Sequence, residues 1–193
     1  MTSALHGIAC LTVEVEPGIG KTRLLLAIEE MARGLGFLPV AVTADEEIRG
    51  PFLLARSIFA SPDALEATGG TRAEEPIQRV LDALSNQDDP GLERMAPNQK
   101  LLRVFDLAAV AFRALAAEQR LVILIDDLQW ADEDSLRMLR YTVRVGAASP
   151  ILLVLAIRPD EIAFVNEAVT LLADMERMGL LRHLRLRRFS QLE

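Results

Sequence analysis

The sequence predicts an α/β fold: a doubly wound, mainly parallel sheet of about five strands with helices on both faces. Short apolar runs alternate along the chain with longer segments in which apolar residues recur at helical spacing. Two of these runs, residues 121–125 and Ile151–Ile157, are wholly apolar, as strands of a buried parallel sheet are. Hydrophobic residues make up 51% of the chain and aromatic residues only 5%, so we expect an aliphatic core.

The predicted strands are spread over the whole chain. Residues 8–15 are rich in β-branched side chains and lead into a Pro-Gly turn, and residues 37–43 form a second strand. The two wholly apolar runs are the third and fourth strands. Residues 180–189 alternate leucine with arginine, which is typical of an edge strand with one solvated face. A nucleic-acid contact through the same arginines is the less favoured alternative.

Helices are predicted between these strands, at residues 20–33, 52–59, 71–84, 98–117 and 132–145. Asp132 has the residue type and the position of an N-cap for the last of them. Another helix follows the fourth strand, marked by Ile162, Val165, Val169, Leu172 and Met175. We expect Pro62 and Gly69-Gly70 to interrupt the region before residue 84, and residues 85–97 to form an exposed loop.

Length, charge and residue usage narrow the functional classes. The 193 residues suit one domain spanning residues 1–193, and the net charge of −7 opposes binding to nucleic acid or anionic membrane. The longest apolar run, Ile151–Ile157, is too short to span a membrane, and no basic residue precedes the first apolar run, as a signal peptide would require. One cysteine and two distant histidines provide neither an internal disulfide nor a metal cluster. We therefore expect a soluble, cytoplasmic protein.

The segment between the first strand and the first helix has the composition of a phosphate-binding loop. It reads Glu16-Pro17-Gly18-Ile19-Gly20-Lys21-Thr22-Arg23. Glycines let successive backbone N–H groups face phosphate oxygens, and the helix adds its positive N-terminal end. We expect Lys21 to bind the β- and γ-phosphates as a catalytic cation and the Thr22 hydroxyl to ligate Mg²⁺. The stretch from Pro17 to Arg23 is therefore predicted to bind the phosphates of ATP.

Val15 departs from the full phosphate-loop pattern, which has glycine at this position. If the backbone of Val15 is left-handed, the β-branched side chain costs about 1–2 kcal/mol. That cost would weaken nucleotide binding roughly tenfold. If the backbone is not left-handed, the cost is mainly steric.

Charged residues follow the third and fourth strands. Asp126 and Asp127 end the third strand, where α/β sheets bind ligands, and we expect Asp126 to hold Mg²⁺ and Asp127 to orient or deprotonate the attacking water. Arg158 ends the fourth strand. In P-loop ATPases with an inserted strand, this position carries a polar sensor of the γ-phosphate. A salt bridge from Arg158 to Asp160 or Glu161 is the equally favoured alternative.

The phosphate loop and the run Asp126-Asp127-Leu128-Gln129-Trp130-Ala131-Asp132 resemble those of AAA-type, STAND-like P-loop ATPases of bacterial signalling proteins. The group includes LuxR-like regulators and cyclase-linked ATPases. The similarity covers residues 11–190, although residues 50–97 match only in length and character. It implies that the strand ending in Asp126 is not adjacent to the phosphate-loop strand. It also implies a nucleotide-dependent switch with slow hydrolysis.

The resemblance further implies that the domain works inside a larger regulator, with other domains or subunits as partners. Because the helical lid and effector domains of such regulators are absent from the 193 residues, we expect the chain to be a fragment. A degenerate, non-hydrolysing relative that serves as a protein-interaction scaffold is the main alternative. A small-molecule kinase shares the phosphate loop, but the run that begins at Asp126 argues against it.

Overall fold

A computed structural model describes residues 7–15, 20–48, 50–85, 96–146 and 148–186. The five strands in this part of the chain are β1 Ala9–Val15, β2 Leu38–Thr43, β3 Leu121–Asp126, β4 Ile151–Ile157 and β5 Leu181–Leu186. They form one sheet in the order β2-β3-β4-β1-β5, and every neighbouring pair is parallel. The predicted fold class is confirmed.

The strand order determines what lies beside the phosphate-loop strand. β4 lies between β1 and β3, pairing Leu11 with Val154 on one side and Ile123 with Leu153 on the other. The prediction that β3 is not adjacent to β1 is therefore correct. β5 lies at an edge of the sheet, as the leucine–arginine alternation predicts.

The described helices are α1 Lys21–Gly34, α2 Leu53–Phe59, α3 Pro62–Thr68, α4 Glu74–Ser85, α5 Pro97–Glu118, α6 Glu133–Val145, α7 Pro159–Ile162 and α8 Asn166–Arg177. A single 3-10 turn, Leu128–Trp130, joins β3 to the segment before α6. Among the described residues, no helix combines the length and the apolar character that crossing a membrane requires.

The two faces of the sheet bury separate clusters of apolar side chains. On one face Leu25 and Ala32 of α1 pack with Val13, Val154 and Ala156. The opposite face carries the larger cluster, which joins the alternate residues of the same strands to α2 through α6 and to α8. This alternation along β4 makes the strand apolar on both sides, which is why its sequence shows no polar residue.

Two helix predictions need correction. α2 ends before Pro62, as predicted, but Pro62 begins a helix that was not predicted, α3, with the Ser61 hydroxyl accepting a hydrogen bond of 3.2 Å from the Ala64 N–H. Proline suits the first position of a helix because the N–H that it lacks has no partner there. The helix predicted across Ile162 to Met175 is two helices, because Val165 leaves the helical conformation between α7 and α8.

The apolar stripe predicted for that last helix is also partly wrong. Val169 is 43% exposed, and the residues of α8 that face the core are Ala168, Leu171 and Met175. The remaining predicted elements are present with ends shifted by up to three residues. Of the predicted exposed loop at 85–97, residues 86–95 lie outside the described part of the chain, as do residues 187–189 of the predicted last strand.

Candidate functional site

The parallel strands bring the predicted site residues to one rim of the sheet. In a parallel sheet all carboxyl ends lie on the same side. Here α1 begins at that rim with Lys21, β3 ends there with Asp126, and Arg158 directly follows β4. Residues from three separate parts of the sequence therefore meet at this rim.

Gly20 sets the direction in which α1 leaves the rim. Its φ of +97° and ψ of +29° place it in the left-handed region, which favours glycine, and its carbonyl accepts a hydrogen bond of 3.0 Å from the Leu24 N–H. The first turn of α1 contains no acidic residue, so its N-terminal dipole keeps its positive character. Thr22 and Arg23 lie in this turn with exposed side chains.

Lys21 lies between the two aspartates at the end of β3. Its Nζ is 2.5 Å from Oδ1 of Asp126, and it also donates a hydrogen bond to Oδ1 of Asp127. The three side chains are 15%, 16% and 18% exposed. At such partial burial, opposite charges in contact interact more strongly than an exposed surface pair does.

The position of the Asp127 side chain is fixed by its own backbone conformation and by hydrogen bonds from neighbouring side chains. Its φ of +52° is left-handed, a conformation that aspartate adopts more readily than most residues, and it begins the 3-10 turn. Its Oδ1 accepts hydrogen bonds from Lys21 and, at 2.8 Å, from Gln129 Nε2. Burial opposes ionisation and is the largest single influence on the pKa of Asp127. The hydrogen bonds and charges of Lys21, Gln129 and Arg158 together outweigh it and lower the pKa of Asp127.

Arg158 contacts both the rim and a neighbouring acidic residue. Its Nε is 3.5 Å from Oδ1 of Asp127, so it lies at the rim, and its sensor role stays a prediction. Its Nη1 also donates a hydrogen bond of 3.0 Å to Glu161, which is the salt bridge considered as the alternative. The side chain is 36% exposed, which leaves it access to a ligand at the rim.

Two further residues, Asp132 and Gln129, form hydrogen bonds close to the site. Asp132 caps α6, as predicted, by accepting a hydrogen bond from the Ser135 N–H. It also accepts hydrogen bonds from the N–H groups of Phe52 and Leu54 at the start of α2. Gln129, which donates a hydrogen bond to Asp127, was not predicted as a site residue, although it lies in the run that resembles the ATPase family.

The structure describes two of the remaining residues, Val15 and Trp130. Val15 is the last residue of β1 and pairs with Leu186, so its backbone is extended and the strain considered for a left-handed conformation does not arise. Trp130 packs against the main core cluster. Pro17, Gly18 and Ile19 lie outside the described residues.

The donor atoms at the rim suit a hard divalent cation beside an anion. Carboxylate and hydroxyl oxygens, which Asp126 and Thr22 supply, are the ligand type that Mg²⁺ prefers. Lys21 and the amino end of α1 supply positive charge next to them. Among the described residues no three His, Cys, Asp or Glu side chains cluster as a metal centre.

The comparisons with known proteins agree with the geometry. The family model described as AAA ATPase domain matches residues 4–154. A search of curated proteins gave no significant match. The matched region includes β1, α1 and β3, and therefore Lys21, Asp126 and Asp127.

Proposed function

The chain belongs to the AAA ATPase domain family, and from that premise we propose that it binds ATP with Mg²⁺ at the carboxyl rim and hydrolyses ATP slowly. We further propose that it acts as the nucleotide-dependent switch module of a signalling or transcription regulator. The observation that carries the proposal is the position of Lys21 between Asp126 and Asp127. When ATP and Mg²⁺ bind, the phosphates can replace the two carboxylates beside Lys21. The divalent ion can then replace Lys21 beside the carboxylate.

Each rim residue has a distinct role in this proposal. The backbone from Pro17 to Arg23 and the Lys21 ammonium bind the phosphates, with the amino end of α1 adding its dipole. Thr22 and Asp126 hold Mg²⁺, which would neutralise charge that develops on the phosphate oxygens during transfer.

Hydrolysis requires a water molecule to attack the γ-phosphorus. A bond forms between the water oxygen and phosphorus as the bond to the β–γ bridging oxygen breaks, ADP departs with that oxygen, and the water proton passes to a base or to the product phosphate. Asp127 is the candidate that orients this water, since it is ionised and lies at the rim. Arg158, beside Asp127, is the candidate that senses the γ-phosphate.

Nucleotide binding would also change the hydrogen bonding of Asp127. While Lys21 donates to Asp127, the carboxylate is a weak proton acceptor because its pKa is lowered. When Lys21 moves to the phosphates, Asp127 loses that hydrogen bond and keeps the one from Gln129.

The proposed switch depends on the connection of the rim residues to the helices and the 3-10 turn that follow them. Lys21 starts α1, Asp127 starts the 3-10 turn and Arg158 precedes α7, so one exchange of partners at the rim acts on all three. Such a change can be read by other domains or subunits of a larger regulator, which the family resemblance suggests as partners. Without an arginine supplied by a partner, we expect turnover on the order of 10⁻⁴–10⁻² per second.

Titration calorimetry with ATP and excess Mg²⁺ tests the binding proposal. The chain has two lysines, Lys21 and Lys100, which provides a matched pair of variants. We expect Lys21→Ala to weaken ATP binding at least about tenfold, because the charge that faces the phosphates is lost. Lys100→Ala, in the first turn of α5, should bind as the wild type does.

Circular dichroism and thermal unfolding of each variant show that it is folded before its binding is compared. Equal ATP affinity in wild type and in a folded Lys21→Ala variant would contradict the proposal. So would the absence of Mg²⁺-dependent binding in the wild type.

A further inference from the structure

Gln129 is a buried polar residue next to the carboxylate that the proposed reaction uses. It lies in the 3-10 turn after β3, and it is only 3% exposed. Burying an amide without hydrogen bonds costs free energy that an apolar side chain of the same size would avoid. Its contacts therefore show what the buried amide accomplishes.

Both ends of the Gln129 amide have a partner at the rim. Nε2 donates a hydrogen bond of 2.8 Å to Oδ1 of Asp127, and Oε1 accepts one of 3.4 Å from the backbone N–H of Arg158. The two partners fix the orientation of the amide, because a flipped amide would set its oxygen against a carboxylate and its NH₂ against a donor. Gln129 thereby connects the end of β3 to the end of β4.

We propose that Gln129 is a positioning residue that holds the Asp127 carboxylate in place for water activation and links it to the backbone of the sensor Arg158. This inference rests on the proposed function, since it names how the same site is kept in order. Gln129 itself touches neither phosphate nor metal in this scheme.

The reason lies in what happens to Asp127 when nucleotide binds. Lys21 and Gln129 both donate to Oδ1 of Asp127, and Arg158 faces the same oxygen at 3.5 Å. Lys21 is charged and is drawn to the phosphates, as Arg158 can be. The neutral amide of Gln129 has no such attraction and stays. It is then the donor that keeps the carboxylate from rotating, and a displaced base lowers the rate of a reaction steeply.

Two variants separate the parts of this role. Gln129→Met keeps the length of the side chain and removes both hydrogen bonds. Gln129→Glu keeps the acceptor for the Arg158 N–H but replaces the donor with a charged oxygen beside Asp127. Gln119→Met is the matched control, because Gln119 donates one hydrogen bond of 3.0 Å to the Gly36 carbonyl at the other end of β3.

In single-turnover and steady-state ATPase assays we expect Gln129→Met to lower kcat on the order of 10- to 100-fold. The affinity for ATP with Mg²⁺ should stay within about twofold, since Gln129 does not contact the nucleotide. The loss should therefore fall on kcat alone, with KM for ATP unchanged within the same limit. Gln129→Glu should lower kcat at least as far, because it sets a charged oxygen against the Asp127 carboxylate.

A loss of affinity for ATP as large as the loss of kcat, or an equal loss of kcat in Gln119→Met, would assign Gln129 a merely structural role and overturn the proposal. Unchanged kcat in Gln129→Met, with an active wild type, would overturn it while leaving the ATPase function intact.

A second measurement does not depend on turnover. In the nucleotide-free protein at neutral pH, the carboxyl carbon NMR signal of Asp127 should shift in Gln129→Met relative to wild type and stay in place in Gln119→Met. If wild type neither binds nor hydrolyses ATP, the proposed function fails by itself. The NMR comparison then still decides whether Gln129 holds Asp127, and an unchanged Asp127 signal in Gln129→Met would overturn that.

Discussion

At the residue scale, the properties of Asp127 arise from competition between burial and neighbouring donors. Burial raises the pKa of the carboxyl, and Lys21, Gln129 and Arg158 together lower it further than burial raises it. The residue is therefore ionised at neutral pH despite being only 18% exposed. An ionised, oriented carboxylate at a phosphate-binding rim is suited to aligning water, and we expect its charge to matter more for turnover than for binding.

Replacing Asp127 with asparagine tests that expectation. Asparagine retains the shape but cannot accept a proton, so Asp127→Asn should lower the rate of phosphate release about 10²-fold or more. Binding of ATP with Mg²⁺ should persist, because Lys21 and Asp126 remain. Asp160→Asn, an exposed aspartate on α7 at the same rim, is the matched control and should hydrolyse ATP as the wild type does.

The outcome also separates the proposed switch from a non-hydrolysing scaffold. Measurable wild-type hydrolysis that disappears in Asp127→Asn would exclude the scaffold. Hydrolysis at equal rates in both proteins would show that Asp127 does not activate the water. A wild type that binds ATP without releasing phosphate would favour the scaffold.

The common location of the charged rim residues was predictable, and the contacts of Gln129 were not. Lys21, Asp126 and Arg158 stand beside strand or helix ends with charges that suit a nucleotide, so their type and position together predicted a common location. Gln129 carries no charge, and it lies in the run that resembles the ATPase family without that resemblance assigning it a role. Its hydrogen bonds depend on the left-handed backbone of Asp127, which no local sequence rule predicts.

At the element scale, Asp132 joins two helices that are far apart in the sequence. Its Oδ1 accepts from the N–H groups of Ser135 in α6 and Phe52 before α2, and its Oδ2 accepts from the Leu54 N–H and the Ser135 hydroxyl. Phe52 is buried with a left-handed φ of +58°, a strained conformation for a bulky residue. The carboxylate therefore stabilises a helix start that the local sequence disfavours.

Removing this carboxylate should destabilise the fold. Asp132→Ala takes the cap from α6 and leaves two backbone N–H groups near α2 without their acceptor, at a combined cost of about 2–4 kcal/mol in the free energy of unfolding. Urea denaturation followed by circular dichroism measures the loss. Asp132→Asn, which keeps one acceptor oxygen, should lose less.

Asp82→Ala provides the comparison, since Asp82 is exposed on α4 and accepts a hydrogen bond only from Gln78 among its described contacts. We expect it to change the free energy of unfolding by less than about 0.5 kcal/mol. An Asp132→Ala protein as stable as Asp82→Ala would show that the hydrogen bonds of Asp132 to α6 and to the start of α2 do not stabilise the fold.

Elements with strong periodicity were predictable, and the exceptions have identifiable causes. β4 was predicted with its observed bounds because a run buried on both faces is apolar throughout. α3 was not predicted because proline usually ends a helix, although proline is favoured at the first position of one. The break between α7 and α8 was missed because the apolar spacing continues across Val165.

At the scale of the whole molecule, function depends on the order of the strands. The alternation of strand and helix predicts a parallel sheet, and a parallel sheet places every carboxyl end at one rim. Composition and periodicity alone do not determine that β4 separates β1 from β3; the family resemblance supplied that expectation. Given this order, Lys21, which begins the helix after β1, contacts Asp126 at the end of β3, two strand positions away in the sheet.

The central claim is that Lys21 exchanges its two aspartate partners for the phosphates of ATP. Side-chain NMR of protein labelled at lysine gives one signal for Lys21 and one for Lys100, and Lys100→Arg assigns them. On addition of ATP with excess Mg²⁺ we expect the Lys21 signal to shift and the Lys100 signal to stay in place. A Lys21 signal that remains unmoved at saturating nucleotide would contradict the account.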